Sequence, residues 1–183
     1  MNFFKTASIL CLSLIICACQ PEQAETAKLQ TAGTGVAKSI TAPEFTGTTL
    51  GGAMVSSQEL SGKAYIVNFF ASWCPPCRAE IPDMVVLQSK YEQKGFTFIG
   101  VTVDEDMTKV REFVQDYGIN FPVVVADQQI IDAYSRHVQG GLSSIPTSFV
   151  VGMDGSLSSV LIGAQSKMVF EGLISDALEA GQQ

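Results

Sequence analysis

Two cysteines separated by two prolines, Cys74-Pro75-Pro76-Cys77, are the residues of this sequence best placed to do chemistry. A Cys-x-x-Cys pair can clip a loop, hold a metal or carry electrons. A clip across so short a loop constrains the unfolded chain little, because the entropic gain grows with loop length. A structural zinc site needs about four ligands, and beyond these two thiols the folded part offers one histidine, His137, in a loop. The dithiol therefore reads as redox chemistry, the usual meaning of Cys-x-x-Cys beside a βαβ pattern. No metal and no cofactor is expected. Glu80 follows Cys77 by three residues, which on a helix puts it one turn away on the same face.

The flanking elements explain how such a pair would be positioned. Residues 64–71, AYIVNFFA, form a continuous run of strand-forming apolar residues, as expected for a strand buried on both faces. A helix is predicted from Pro75 to about Lys94, with Met84, Leu87 and Tyr91 at helical spacing and Gly95 at its end. Cys74 then stands at a helix N-terminus, where unsatisfied N–H groups and the helix dipole stabilise a thiolate. It is the expected nucleophile, and Cys77 the resolving thiol. Pro75 and Pro76 suit the first helical turn, and they remove two possible donors to the Cys74 sulfur.

The rest of the chain supplies the frame. Residues 44–57 read as two short strands turning at Gly51-Gly52. Strands follow at 96–104 and 121–127, helices at 106–118 and 128–137, an antiparallel pair turned at Asp154-Gly155, and a last helix at 166–180. The order βαβαβαββα predicts an α/β sandwich with a mixed sheet. The methionines read as core filling. The formal charge of −7 argues against nucleic acid as a partner, since that affinity rests on Lys and Arg neutralising phosphates.

The N-terminus has the marks of export. Lys5 precedes an apolar run, residues 9–16, too short to span a bilayer comfortably. Ile16-Cys17-Ala18-Cys19 resembles a bacterial lipoprotein lipobox, which implies cleavage after residue 18 and lipidation of Cys19. Gln20 resembles the signal that sorts lipoproteins to the outer membrane, and which membrane holds the anchor stays open. Cys11 and Cys17 would leave with the signal, so Cys74 and Cys77 alone remain free in the folded part. Three segments are expected: a signal peptide over 1–18, a lipidated N-terminus and flexible tether over 19–42, and a folded domain over 43–183.

The stretch VNFFASWCPPCRAEIPDM, with GLSSIPTSFVVGMDG downstream, resembles the thioredoxin superfamily and, within it, the TlpA/ResA-like thiol:disulfide oxidoreductases of bacteria. The resemblance covers about residues 43–180. It implies a thioredoxin-like three-layer sandwich: a mixed central sheet, an N-terminal hairpin, and an inserted helix and strand between about 96 and 140. It implies that Pro146 is cis, and that Trp73, Pro75, Pro76, Ile145 and Pro146 form the surface that meets substrate. Pro82 matches a family proline inside the first helix. Thioredoxins carry a buried Asp where this sequence has Asn68; members of the resembled group carry instead an acid matching Glu80, which implies that Glu80 exchanges the Cys77 proton. The implied partners are proteins with disulfides or dithiols, apocytochrome c among them, and a DsbD/CcdA-type membrane electron donor. The alternatives are a general disulfide oxidase or isomerase, a Sco-like copper chaperone, whose Cys-x-x-x-Cys spacing is one residue longer, and a peroxiredoxin-like antioxidant, whose Thr-x-x-Cys context ASWC does not supply.

Overall fold

The computed structural model describes residues 40–181. The expected signal peptide, the lipidation site Cys19 and all but the last residues of the tether lie outside the described residues. The described frame begins with Ile40.

Strand β3, Ala64–Phe70, is buried along its whole length, as its unbroken apolar sequence requires. It is the centre of a five-stranded sheet ordered β5-β4-β3-β6-β7, where β4 is Phe96–Thr102, β5 Val123–Val125, β6 Thr147–Val151 and β7 Leu157–Ile162. Strands β3, β4 and β5 run parallel, joined by helical crossovers, and β6 and β7 run antiparallel to their neighbours. The mixed sheet follows from those connections, because a tight turn at Asp154-Gly155 can join only antiparallel strands.

Side chains alternate across the sheet and so feed two cores. On one face Ile66, Phe70, Phe98 and Val150 pack against three helices: α1, Pro75–Tyr91; α2, Met107–Asp116; and α4, Lys167–Glu179. These contribute Ile81, Met84 and Leu87, then Phe113, then Phe170 and Ile174. On the other face Val67, Phe69, Val101 and Phe149 meet Ile130 and Tyr134 of α3, Gln128–Ser135, and Phe45. Helices on both faces make the three layers of the thioredoxin-like fold. Elements α2, β5 and α3 occupy the stretch where the resemblance placed an insertion.

Three details differ from the sequence reading. The hairpin strands β1, Thr46–Thr48, and β2, Met54–Ser56, form a separate two-stranded sheet, linked to the main one through the Thr49–Val124 bridge. Ile40 to Ala42, assigned by sequence to the tether, pair with the β6–β7 turn: Leu157 N–H donates to the Ile40 carbonyl at 2.7 Å and Ala42 N–H to the Gly155 carbonyl at 3.0 Å. Met84 fills the core, but Met54 and Met168 are exposed, 57% and 80% respectively. Composition cannot separate a core methionine from one on a strand edge or an outward helix turn.

Candidate active site

Cys74 is the N-cap residue of α1, in extended backbone geometry, and Pro75 and Pro76 fill the first two helical positions. The cap explains the local fold: the Cys77 N–H donates to Cys74 Sγ at 3.4 Å, satisfying one of the helix's orphan donors with sulfur. With two prolines ahead of it, Cys77 supplies the one backbone donor to that sulfur among the described residues. Cys74 and Cys77 are joined as a disulfide with Cα atoms 5.3 Å apart. Cys77 is wholly buried and Cys74 is 3% exposed, so Cys74 is the more accessible residue of the pair.

Three elements frame the disulfide. Trp73 stands beside it, 66% exposed for an aromatic that a core would normally absorb. The Ile145–Pro146 peptide bond is cis, and the Ile145 carbonyl oxygen lies 3.8 Å from Cys74 Sγ. Ile145 also lines an apolar groove of about 340 Å³ with Phe69, Val103, Ile131 and Leu142. A larger groove of about 470 Å³ opens at the start of β3, around Lys63 and Tyr65, with no thiol in its lining. The smaller groove is the one that adjoins the site: its lining residue Ile145 places a carbonyl oxygen 3.8 Å from Cys74 Sγ.

Glu80 lies one helical turn beyond Cys77, on the face of α1 that packs on the sheet. It is 2% exposed, so the solvated helix glutamate that its residue type suggests is not what forms. One carboxyl oxygen accepts from Asn68 Nδ2 at 2.8 Å and the other from the Gln165 N–H at 2.9 Å. Burial outweighs those two donors and pushes the Glu80 pKa up to about 7. Asn68 sits opposite Ser148 in the β3–β6 register and donates to its Oγ at 2.9 Å, while its own Oδ1 has no partner among the described residues.

Every residue expected at the site is thus in one place: Trp73, Cys74, Pro75, Pro76, Cys77 and Glu80 from the β3–α1 junction, and Ile145 and Pro146 from the loop entering β6. Pro82 lies inside α1, which continues through it. His137 is elsewhere, in the turn after α3. Sequence reasoning missed Ser148 and Gln165, which reach Glu80 or its partner from 80 and 85 residues away. It also missed Asp104, which binds Ser72 in the active-site loop. Strand register could have paired Ser148 with Asn68; nothing local marks Gln165.

A Cys-x-x-Cys disulfide at a helix N-terminus, next to a cis-proline loop on a thioredoxin-like sheet, defines a thiol:disulfide oxidoreductase. Comparison with known proteins agrees. Residues 40–160 match the AhpC/TSA family. The chain is 38% identical over 134 residues to the thiol-disulfide oxidoreductase ResA of Bacillus thuringiensis, covering 73% of this chain and 74% of that one. Among solved structures, a thiol:disulfide interchange protein of the thioredoxin family from Chlorobium tepidum is 45% identical, with a TM-score of 0.75, covering 77% of this chain and 97% of the other. A secreted Mycobacterium tuberculosis disulfide oxidoreductase homologous to E. coli DsbE is 25% identical, with a TM-score of 0.61, covering 72% and 95%. The chain belongs to the AhpC/TSA family and, within it, to the ResA-type thiol-disulfide oxidoreductases.

Proposed function

We propose that the protein is an exported, lipid-anchored reductant of protein disulfides, acting on the periplasmic side of a bacterial membrane. The Cys74 thiolate attacks a substrate disulfide, forming a mixed disulfide and releasing one substrate thiolate. The Cys77 thiolate then attacks the Cys74 sulfur, which releases the second substrate thiol and closes the Cys74–Cys77 disulfide. Two electrons pass from the dithiol to the substrate. The Cys77 proton goes to Glu80 and from there to the departing sulfur.

The observation that carries this reading is the buried Glu80 carboxyl, whose pKa of about 7 lets it take and give a proton near neutrality. A structural disulfide has no use for such a group beneath it. The reducing direction is supported by the resemblance to TlpA/ResA-like proteins and by the sparse donor set at Cys74: strong oxidants stabilise their thiolate heavily, and here one N–H does so. The periplasm is kept oxidising, so a reductant there needs a supply of electrons, for which a DsbD/CcdA-type membrane protein is suited. The substrates that fit are apocytochrome c Cys-x-x-Cys-His segments and other periplasmic disulfides. Export and anchoring rest on Lys5, the apolar run and the Ile16-Cys17-Ala18-Cys19 motif. Acyl chains on Cys19 would hold the protein at a membrane, each buried CH₂ contributing about 0.8 kcal/mol.

Trapping tests the mechanism: in Cys77→Ala the second step is lost, and substrates should accumulate as mixed disulfides on Cys74, identifiable by mass spectrometry. Absence of any Cys74 adduct in the producing organism would sink the reading. Labelled palmitate that still enters a Cys19→Ala protein would sink the anchor.

A further inference from the structure

The residue just ahead of Trp73 is held more firmly than a loop position requires. Ser72 is buried, and all three of its polar groups are engaged. Its N–H donates to Asp104 Oδ2 at 2.8 Å and its hydroxyl to Asp104 Oδ1 at 2.6 Å. Its carbonyl accepts from Arg78 Nη1 at 3.0 Å. Asp104, 8% exposed, lies two residues past the end of β4 and takes a third hydrogen bond from Thr102 Oγ1 at 2.7 Å. Arg78 follows Cys77 on α1, and its guanidinium lies over the rings of Phe113 and Tyr117, 5.4 and 5.2 Å from their centroids. A negative and a positive side chain from different elements thus meet on one residue.

We propose that Asp104 and Arg78, anchored on the backbone of Ser72, are positioning residues that set the acidity of the Cys74 thiol from opposite directions. The inference rests on Cys74 being the attacking thiol. Ser72 is two residues from Cys74, so their Cα atoms are at most about 7 Å apart. The buried Asp104 carboxylate and the exposed Arg78 guanidinium each lie one hydrogen bond beyond Ser72. A charge at that range is felt by a thiolate, the buried one more than the one that water screens. Asp104 disfavours the thiolate and keeps the dithiol reducing. Arg78 favours it and keeps part of the thiol reactive at neutral pH. The other titratable groups facing Cys74 are Cys77 and Glu80, both on α1; the loops entering β6 and α4, residues 142–146 and 163–166, bring none. The hydrogen bonds of Asp104 and Arg78 go to Ser72 and Thr102 and not to the sulfurs, so their influence is on thiol acidity rather than on the bonds that form and break.

The test is the pH profile of Cys74 alkylation by iodoacetamide in the full-length reduced protein, read by peptide mass spectrometry, for three variants. Asp104→Asn should lower the midpoint by about half a unit to one unit, the scale of one unit charge at this distance and a mixed dielectric. Arg78→Gln should raise it, by a smaller amount because water screens the exposed guanidinium. Ser72→Ala keeps both charges and the two backbone hydrogen bonds, and its midpoint should stay put even if it melts earlier. A purely structural clamp would lower melting temperatures and leave all three midpoints unchanged, and that result overturns the proposal, as does a midpoint that rises in Asp104→Asn. Should Asp104→Asn fold poorly, the exposed Arg78 still decides it: an unshifted Arg78→Gln profile is refutation. Alkylation at Cys77 ahead of Cys74 in the unsubstituted protein would overturn both this inference and the assignment of the attacking thiol, and it is read before any variant is made.

Discussion

Glu80→Gln should change how stability depends on pH, and the size of the change follows from where the carboxyl sits. Burial raises its folded pKa from 4.5 to about 7. The folded protein therefore binds this proton more tightly than the unfolded chain does. The sign is the reverse of a salt-bridged carboxylate: the stabilising contribution is fully present below about pH 4.5 and is lost as pH rises through about 7. At about 1.4 kcal/mol per pKa unit, the loss across that window is on the order of 3 kcal/mol. In the oxidised protein the two cysteines do not titrate, so the window belongs largely to Glu80. Glutamine cannot ionise, and the variant should lack this decline. It also carries a cost independent of pH, because its amide turns a donor toward either Asn68 Nδ2 or the Gln165 N–H, at roughly 1–3 kcal/mol for the unmade bond. Rotation of Asn68, whose Oδ1 is free of partners among the described residues, would relieve one of the two mismatches. The assay is urea unfolding of both oxidised proteins at half-unit steps from pH 4.5 to 8. The stability of the variant minus that of the parent should rise by about 3 kcal/mol across the range. A flat difference would show that Glu80 ionises like an ordinary surface acid and would refute both its burial and the proton role built on it.

Two further substitutions test the frame and the surface. A Cβ on Gly47 would run into the buried Val124 side chain and press on Ile130, so Gly47→Ala should destabilise by about 1–3 kcal/mol in thermal or urea unfolding; an unchanged midpoint would show that the hairpin does not pack on β5 as described. Trp73→Ala removes a largely exposed ring beside the disulfide, and should lower kcat/KM toward a protein disulfide by about tenfold while leaving unfolding stability within about 0.5 kcal/mol. Equal kcat/KM for both proteins would remove Trp73 from the substrate surface.

Much of the site was legible locally. A helix carries i and i+3 side chains on one face, so Cys74, Cys77 and Glu80 could be placed relative to one another from spacing alone, and the N-cap position of Cys74 followed from the strand-to-helix junction. What spacing could not say is which way that face points. Glu80 and Arg78 are two residues apart on α1, one enclosed against Asn68 and Gln165, the other exposed with its guanidinium on two aromatic rings. Both are charged residues that composition would assign to water.

The sequence by itself determined the dithiol, the buried central strand, the helix that starts at the first sulfur and the order of elements, because each depends on hydrogen bonds and side-chain periodicities within a dozen residues. Only the tertiary structure decided the chemistry beneath the sulfurs. Asn68 and Ser148 face each other through strand register, Gln165 arrives on the loop before α4, and Asp104 reaches Ser72 from the end of a neighbouring strand. These partners are separated by 32 to 85 residues. Water competes for each of them in the open chain, and only packing that excludes it turns an ordinary glutamate into one that exchanges its proton near neutral pH.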